Sequence, residues 1–128
     1  MDYTCIEIKK EDNIKTPFYL EDNILKSNYS NKDYINRNVI TYGLNKNDNY
    51  KLYYSNGKIK EAENFNLAHT CNTYSGCSGG CITINNRVIG IHRGVYKNNK
   101  YNIGIFIKDV IEDIKKKKCE DVKLLLYN

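Results

Sequence analysis

Apolar and polar residues alternate in short runs along most of the chain. Runs of this kind, rich in β-branched and aromatic residues, occupy residues 3–8, 17–20, 39–42, 65–70 and 101–107. Strands place successive side chains on opposite faces, so each run predicts a β-strand. Residues 23–38 show no clear period and are predicted to form a loop.

Two polar dipeptides divide longer apolar stretches and predict hairpins. Asn56-Gly57 separates residues 51–55 from 58–62, and Asn85-Asn86 separates residues 82–84 from 87–92. Asn and Gly tolerate the positive φ angles of a two-residue type I′ turn. We therefore expect an antiparallel strand pair on either side of each dipeptide.

The last predicted element is a helix at residues 108–118. Ile107, Val110, Ile111 and Ile114 repeat at helical spacing on one face, with acidic residues early and four lysines late. Six to eight strands followed by one helix indicate a mainly β fold, an antiparallel sandwich or barrel.

The amino-acid composition and the net charge limit the classes of function that the chain can have. The 128 residues are one domain's worth of chain, and no apolar run approaches the roughly 20 residues of a membrane-spanning helix. The net charge is +5, but 17 of the 20 basic residues are lysine and only three are arginine, the residue that base and phosphate recognition favours. Neither nucleic acid nor a membrane is therefore predicted as a partner.

The five cysteines are an odd number, and their spacing does not resemble a small disulfide scaffold. The count favours a reducing compartment such as the cytoplasm, although no address signal identifies a location. His69, Cys71, Cys77 and Cys81 lie within 13 residues and leave a zinc site open as an alternative, without the usual tight cysteine pair.

The segment between residues 73 and 82 is the strongest candidate for chemistry. Ser78 lies among three glycines, between two predicted strands. Glycine permits positive φ and a close approach of another backbone, so the serine hydroxyl could project into a cleft while the N–H groups of Gly76 and Ser78 converge as an oxyanion hole. An ordinary glycine-rich turn is the competing interpretation.

The order of motifs around this serine resembles the trypsin-like serine peptidases, in particular the glutamyl-endopeptidase branch. The matching positions are 72–73, 76–80, 82, 88–92, the strand at 102–107 and the closing helix. Residues 2–8 are similar to the strand that carries the catalytic aspartate of that family. Cys81 departs from the pattern, because it stands where the family has proline.

The resemblance implies a fold, a reaction and roles for individual residues. It implies the end of a first barrel at residues 1–40, a second antiparallel barrel at 41–107 and the C-terminal helix at 108–118. Ser78 would be the nucleophile that forms an acyl-enzyme with a polypeptide substrate, Gly76 and Ser78 would supply the oxyanion N–H groups, and Asp2 would orient the histidine. Thr73 and His92 would line the pocket for the substrate side chain. No cofactor or metal is implied.

The base of the catalytic triad is the missing component. The two histidines, His69 and His92, both lie in the second half of the chain, whereas the family's base precedes the aspartate. We therefore expect a truncated serine endopeptidase, inactive as these 128 residues and lacking an N-terminal half-domain. A non-catalytic trypsin-like remnant that binds protein is the alternative.

Overall fold

The computed structural model describes residues 1–6, 8–96 and 100–117. Seven strands and one α-helix form the fold of these described residues. The strands are β1 (Tyr19–Leu20), β2 (Asn38–Asn45), β3 (Lys51–Glu63), β4 (Asn66–His69), β5 (Cys81–Ile84), β6 (Arg87–Val95) and β7 (Asn102–Phe106). The helix α1 comprises Ile107–Lys116, and short 3₁₀ turns lie at Lys10–Asp12, Asn31–Tyr34 and Lys46–Asp48. No helix among the described residues is long and apolar enough to cross a membrane.

Six of the strands close into an antiparallel barrel. The hydrogen-bonded order is β6-β5-β2-β3-β4-β7, and β7 pairs with β6 again to complete the circle. Closure leaves these six strands without a long free edge, which protects the sheet from pairing with other chains. β1 adds to the outside of the barrel by pairing in parallel with β6. The predicted mainly β barrel with a C-terminal helix is confirmed.

Inward-facing aliphatic and aromatic residues from the strands fill the barrel. Ile59, Leu67, Ile82, Ile89 and Phe106 are each at most 1% exposed. Burying a side chain of this size is worth roughly 1.5–3 kcal/mol, so this interior is the main stabilising element of the fold.

The loop before β2 covers one end of the barrel. Ile24 and Tyr34 are 1% exposed and belong to the same apolar core as the strands. The Tyr34 hydroxyl donates to a carboxylate oxygen of Glu21, whose other oxygen accepts from the Asn23 side-chain amide at 3.3 Å. A loop was predicted here, but its part in the core was not.

The helix α1 packs its apolar stripe against the barrel, as predicted. Val110, Ile111 and Ile114 are buried. The predicted boundaries agree with the structure to within a residue at the start, and Lys118 lies outside the described residues. Lys108 Nζ donates to the Tyr29 carbonyl at 3.1 Å and so ties the helix to the covering loop.

The hairpin predicted at Asn56-Gly57 is wrong, whereas the hairpin at Asn85-Asn86 is confirmed. β3 continues through Asn56 and Gly57, which pair with Ile40 and Val39 of β2. A Cβ on Gly57 would lie 2.5 Å from the Cys71 backbone nitrogen, so glycine serves a close approach here and not a turn. Asn85 and Asn86 have φ angles of 50° and 60°, as a type I′ turn requires.

The strand predicted at residues 3–8 is also wrong for the residues that the structure describes there. Ile6 and Ile8 are 82% and 61% exposed, because the segment has no partner strand against which to bury them. Tyr3 instead packs near α1, and its hydroxyl donates to Asp113 Oδ2 at 2.6 Å. The assignment of residues 1–40 to a first barrel stays a prediction, although residues 38–40 form part of β2.

Candidate active site

Two consecutive tight turns carry Ser78 between β4 and β5. The Cys77 N–H donates to the Tyr74 carbonyl and the Gly80 N–H donates to the Cys77 carbonyl, both at 3.0 Å. Gly76 and Gly79 have φ angles of 100° and 87°, which L side chains rarely adopt. Two of the three glycines predicted to shape this segment therefore do so by taking positive φ angles, whereas Gly80 allows a close approach to the Tyr42 carbonyl oxygen.

Hydrogen bonds to neighbouring strands hold these turns in place. The Gly79 N–H donates to the His92 carbonyl at 2.8 Å, and the His92 N–H donates to the Gly80 carbonyl at 2.7 Å. On the other side, the Lys46 N–H donates to the Ser75 carbonyl at 2.8 Å. The turns are thus fixed to β6 on one flank and to the end of β2 on the other.

The Ser78 side chain is exposed at the centre of these turns. Its hydroxyl donates to the Arg93 backbone carbonyl at 3.0 Å, on the strand that carries His92. A carbonyl oxygen accepts a hydrogen bond but cannot take the proton, so this contact orients the hydroxyl without activating it.

The N–H groups of Gly76 and Ser78 donate to no backbone carbonyl among the hydrogen bonds of the described residues. An oxyanion hole requires N–H groups that are not already paired with a carbonyl of the protein. Their assignment to an oxyanion hole stays a prediction.

A cavity beside the serine turns brings Thr73 and His92 together, the two residues predicted to line a substrate pocket. It is small: the space inside it that a water-sized sphere can occupy is about 10 Å³, enough for about one water molecule. The remaining lining comes from hydroxyl, amide, thiol and backbone groups without a formal charge: Thr41, Tyr42, Gly43, Tyr53, Ser55, Asn72, Tyr74 and Cys77. The cavity therefore offers neutral hydrogen-bonding groups to a ligand.

His69 lies directly behind His92, a relationship that the sequence did not reveal. His69 Nε2 and His92 Nδ1 are 3.2 Å apart, and the residues are 0% and 4% exposed. Burial lowers the pKa of His69 to about 4 and also lowers that of His92. The sequence indicated only that each histidine occupies an inward-facing position of a strand, His69 in β4 and His92 in β6. No local pattern predicts that these two strands lie close together.

No protein-family model and no curated protein matches the sequence, so the relationships come from solved structures. A serine-to-alanine mutant of Rv3671c from M. tuberculosis H37Rv, in its inactive form, superposes with a TM-score of 0.64 and 12% identity over 85% of this chain and 57% of that chain. Glu endopeptidase in complex with MPD gives a TM-score of 0.57 and 17% identity over 82% of this chain and 63% of that chain. Both are trypsin-like neighbours of the closed barrel.

The chain has a trypsin-like fold. It spans 57% and 63% of the length of these two neighbours. Identities this low establish the fold and leave the activity to be argued from the chain's own residues.

Asp2 is the predicted site residue that does not join the others in this trypsin-like barrel. It is exposed, and it forms no hydrogen bond or ion pair with His69 or His92, which are buried. Its neighbour Tyr3 contacts α1. Its predicted role in orienting a histidine stays a prediction that the structure does not support.

The zinc alternative finds no ligand set in the described part of the chain. No three His, Cys, Asp or Glu side chains converge there as metal ligands. The Cys71 thiol contacts the Val39 carbonyl at 3.8 Å, whereas the Cys77 thiol contacts the Leu44 carbonyl at 3.5 Å. The two thiols are thus directed to different points along β2.

Proposed function

We propose that this chain is the serine-bearing part of a serine-type endopeptidase. The observation that carries the proposal is the exposed Ser78 hydroxyl, fixed on two tight turns beside a cavity that contains Thr73 and His92.

The proposed reaction proceeds through an acyl-enzyme. Ser78 Oγ attacks the carbonyl carbon of the scissile peptide, and its proton passes to a base as the new C–O bond forms. The oxyanion accepts hydrogen bonds from the N–H groups of Gly76 and Ser78. The C–N bond then breaks, the amine leaves with the proton from the base, and water hydrolyses the ester by the same route.

The base for this reaction is proposed to come from a segment outside these 128 residues. The chain contains two histidines, which are both buried and hydrogen-bonded to each other. The Ser78 hydroxyl donates its hydrogen bond to a backbone carbonyl and not to either histidine. In subtilisin, loss of the histidine alone costs about a millionfold in kcat. We therefore expect the 128-residue chain to be essentially inactive by itself.

Labelling with a fluorophosphonate tests the assignment of Ser78. The 128-residue chain and the native product, whose transcript is sequenced upstream of Met1, are compared with their Ser78→Ala variants. We expect no labelling of the short chain and labelling of a longer native product at Ser78. An extended product that folds yet stays unlabelled, or a native product that is identical to the short chain and unlabelled, would overturn the peptidase proposal.

A protein-binding module is the second candidate, and one surface favours it. Leu44 pairs with Leu52, and Tyr42 pairs with Tyr54, across β2 and β3. Leu52 and Tyr54 are both 70% exposed, and Phe18 extends the surface by contacting the Tyr42 ring. Contiguous apolar surface of this kind is typical of interaction sites. Pull-down from the source cell with wild type and with the Leu52→Ser/Tyr54→Ser variant tests this function, and identical binding would exclude this surface.

A further inference from the structure

The buried His69–His92 pair can share its hydrogen bond in two ways. In one arrangement His69 Nε2–H donates to His92 Nδ1, which leaves the His92 proton on Nε2. In the other, His92 Nδ1–H donates to His69 Nε2, and the His69 proton must then sit on Nδ1. The 3.2 Å separation of these two nitrogens is compatible with both.

The surroundings of His69 distinguish the two arrangements. His69 Nδ1 is buried and has no hydrogen-bond partner among the described residues. If His92 donates to His69, His69 Nδ1 carries a proton and is a buried N–H without an acceptor. If His69 donates to His92, His69 Nδ1 carries only an unused lone pair. Buried orphaned N–H groups are rarer in proteins than under-used acceptors, which reflects the larger cost of an unpaired donor.

We propose that His69 is a positioning residue that holds His92 as the neutral Nε2–H tautomer, so that the cavity presents a fixed hydrogen-bond donor. His92 lines the cavity and its Nδ1 is engaged by His69, so Nε2 is the ring nitrogen left for a ligand. The ligand class is a hydrogen-bond acceptor, because the donor is neutral and the rest of the cavity lining carries no formal charge. Its identification as part of a substrate rests on the proposed peptidase function.

The same arrangement opposes protonation of His92. An imidazolium carries N–H at both nitrogens, so its Nδ1–H would point at the Nε2–H of His69 and one hydrogen bond would become a repulsion. The cavity lining contains no Asp, Glu, Lys or Arg, and its titratable members besides His92 are Tyr42, Tyr53, Tyr74 and Cys77. Recognition therefore relies on a neutral donor at pH 7, in agreement with the lowered pKa of both imidazoles.

Long-range ¹H–¹⁵N spectra of the histidine rings test the proposal directly, because the chain contains two histidines and gives two ring spin systems. The full chain is labelled with ¹⁵N-histidine and recorded between pH 6.5 and 8. We expect both rings to be protonated at Nε2 and unprotonated at Nδ1. A His92 ring protonated at Nδ1 would overturn the proposal.

Two variants separate positioning from packing. His69→Gln keeps an amide N–H near the place of Nε2 and is expected to leave His92 in the Nε2–H form, whereas His69→Phe removes the donor and is expected to populate the Nδ1–H form. If His69→Phe does not fold, the wild-type and His69→Gln spectra decide alone, and loss of the Nε2–H form in folded His69→Gln would contradict the proposal. These spectra require no catalysis, so their outcome is independent of fluorophosphonate labelling at Ser78.

Discussion

The Ser78 hydroxyl donates to the Arg93 backbone carbonyl at 3.0 Å, across the space between the serine turns and the edge of β6. The acceptor, Arg93, lies in β6 directly after His92, which lines the cavity. One strand, β6, therefore both orients the proposed nucleophile and supplies a residue of the cavity wall. To activate the serine, a base would have to replace this single exposed hydrogen bond.

Removal of the Ser78 hydroxyl is expected to leave stability almost unchanged. The bond is exposed, so water replaces it, and Ser78→Ala should change the free energy of unfolding by less than about 0.5 kcal/mol. Thr83→Val is the matched control, because the Thr83 hydroxyl is fully buried and donates to the Ile40 carbonyl at 3.0 Å. That control should cost about 1–2 kcal/mol in urea unfolding. A large loss for Ser78→Ala would assign the serine a structural role.

Tyr34→Phe is expected to destabilise the loop that covers the barrel. The Tyr34 hydroxyl is buried and donates to Glu21, and its burial together with this bond raises the pKa of the phenol far above its usual value. Loss of the donor leaves a poorly solvated carboxylate with fewer partners, at a cost of about 1–3 kcal/mol. Tyr29→Phe is the control, since its hydroxyl lies in a partly exposed contact with Arg37 and its removal should cost much less. Equal effects on the melting temperature would contradict this account.

Acid is expected to destabilise the protein through His69. The pKa of His69 falls from 6.5 in the unfolded chain to about 4 in the fold, because burial disfavours the charged ring. Between these values the unfolded state binds more protons, so stability is complete above pH 6.5 and is lost as the pH falls towards 4. The loss at pH 5 is on the order of 2 kcal/mol.

Guanidinium unfolding at pH 7, 6 and 5 measures this effect by comparison of wild type with His69→Gln. Carboxylates contribute equally to both proteins, so the difference between the two stability curves isolates the imidazole. Wild type should lose more stability than the variant as the pH falls. Parallel curves would show that His69 is protonated as easily in the fold as in the unfolded chain.

The sequence correctly predicted those turns and strands that are determined by a few neighbouring residues. Asn85-Asn86 forms its turn because both residues adopt positive φ between short paired strands. Asn56-Gly57 has the same signature, but tertiary pairing on both sides of β3 overrides it. The serine turns were predicted from the resemblance and the glycines, whereas the His69 contact with His92 depends on barrel closure, which no local window contains.

Gly80→Ala and Gly94→Ala form a final pair that tests how tightly the serine turns are fitted to the barrel. A Cβ on Gly80 would lie 1.9 Å from the Tyr42 carbonyl oxygen, a backbone atom that cannot move without disturbing β2. A Cβ on Gly94 would meet no atom within 4 Å. We expect Gly80→Ala to cost about 3 kcal/mol or more, through overpacking against the backbone, and Gly94→Ala to cost less than about 1 kcal/mol.

Because both changes add one methyl group, the comparison removes the effect of glycine on the unfolded chain. Thermal unfolding measures the stabilities, and amide exchange at Gly79 and His92, whose N–H groups bind the turns to β6, reports where the damage lies. Faster exchange at these two amides in Gly80→Ala alone would show that the serine turns detach first. If Gly80→Ala is as stable as Gly94→Ala, the turns have room to shift, and the fixed geometry on which the assignment of Ser78 depends does not hold.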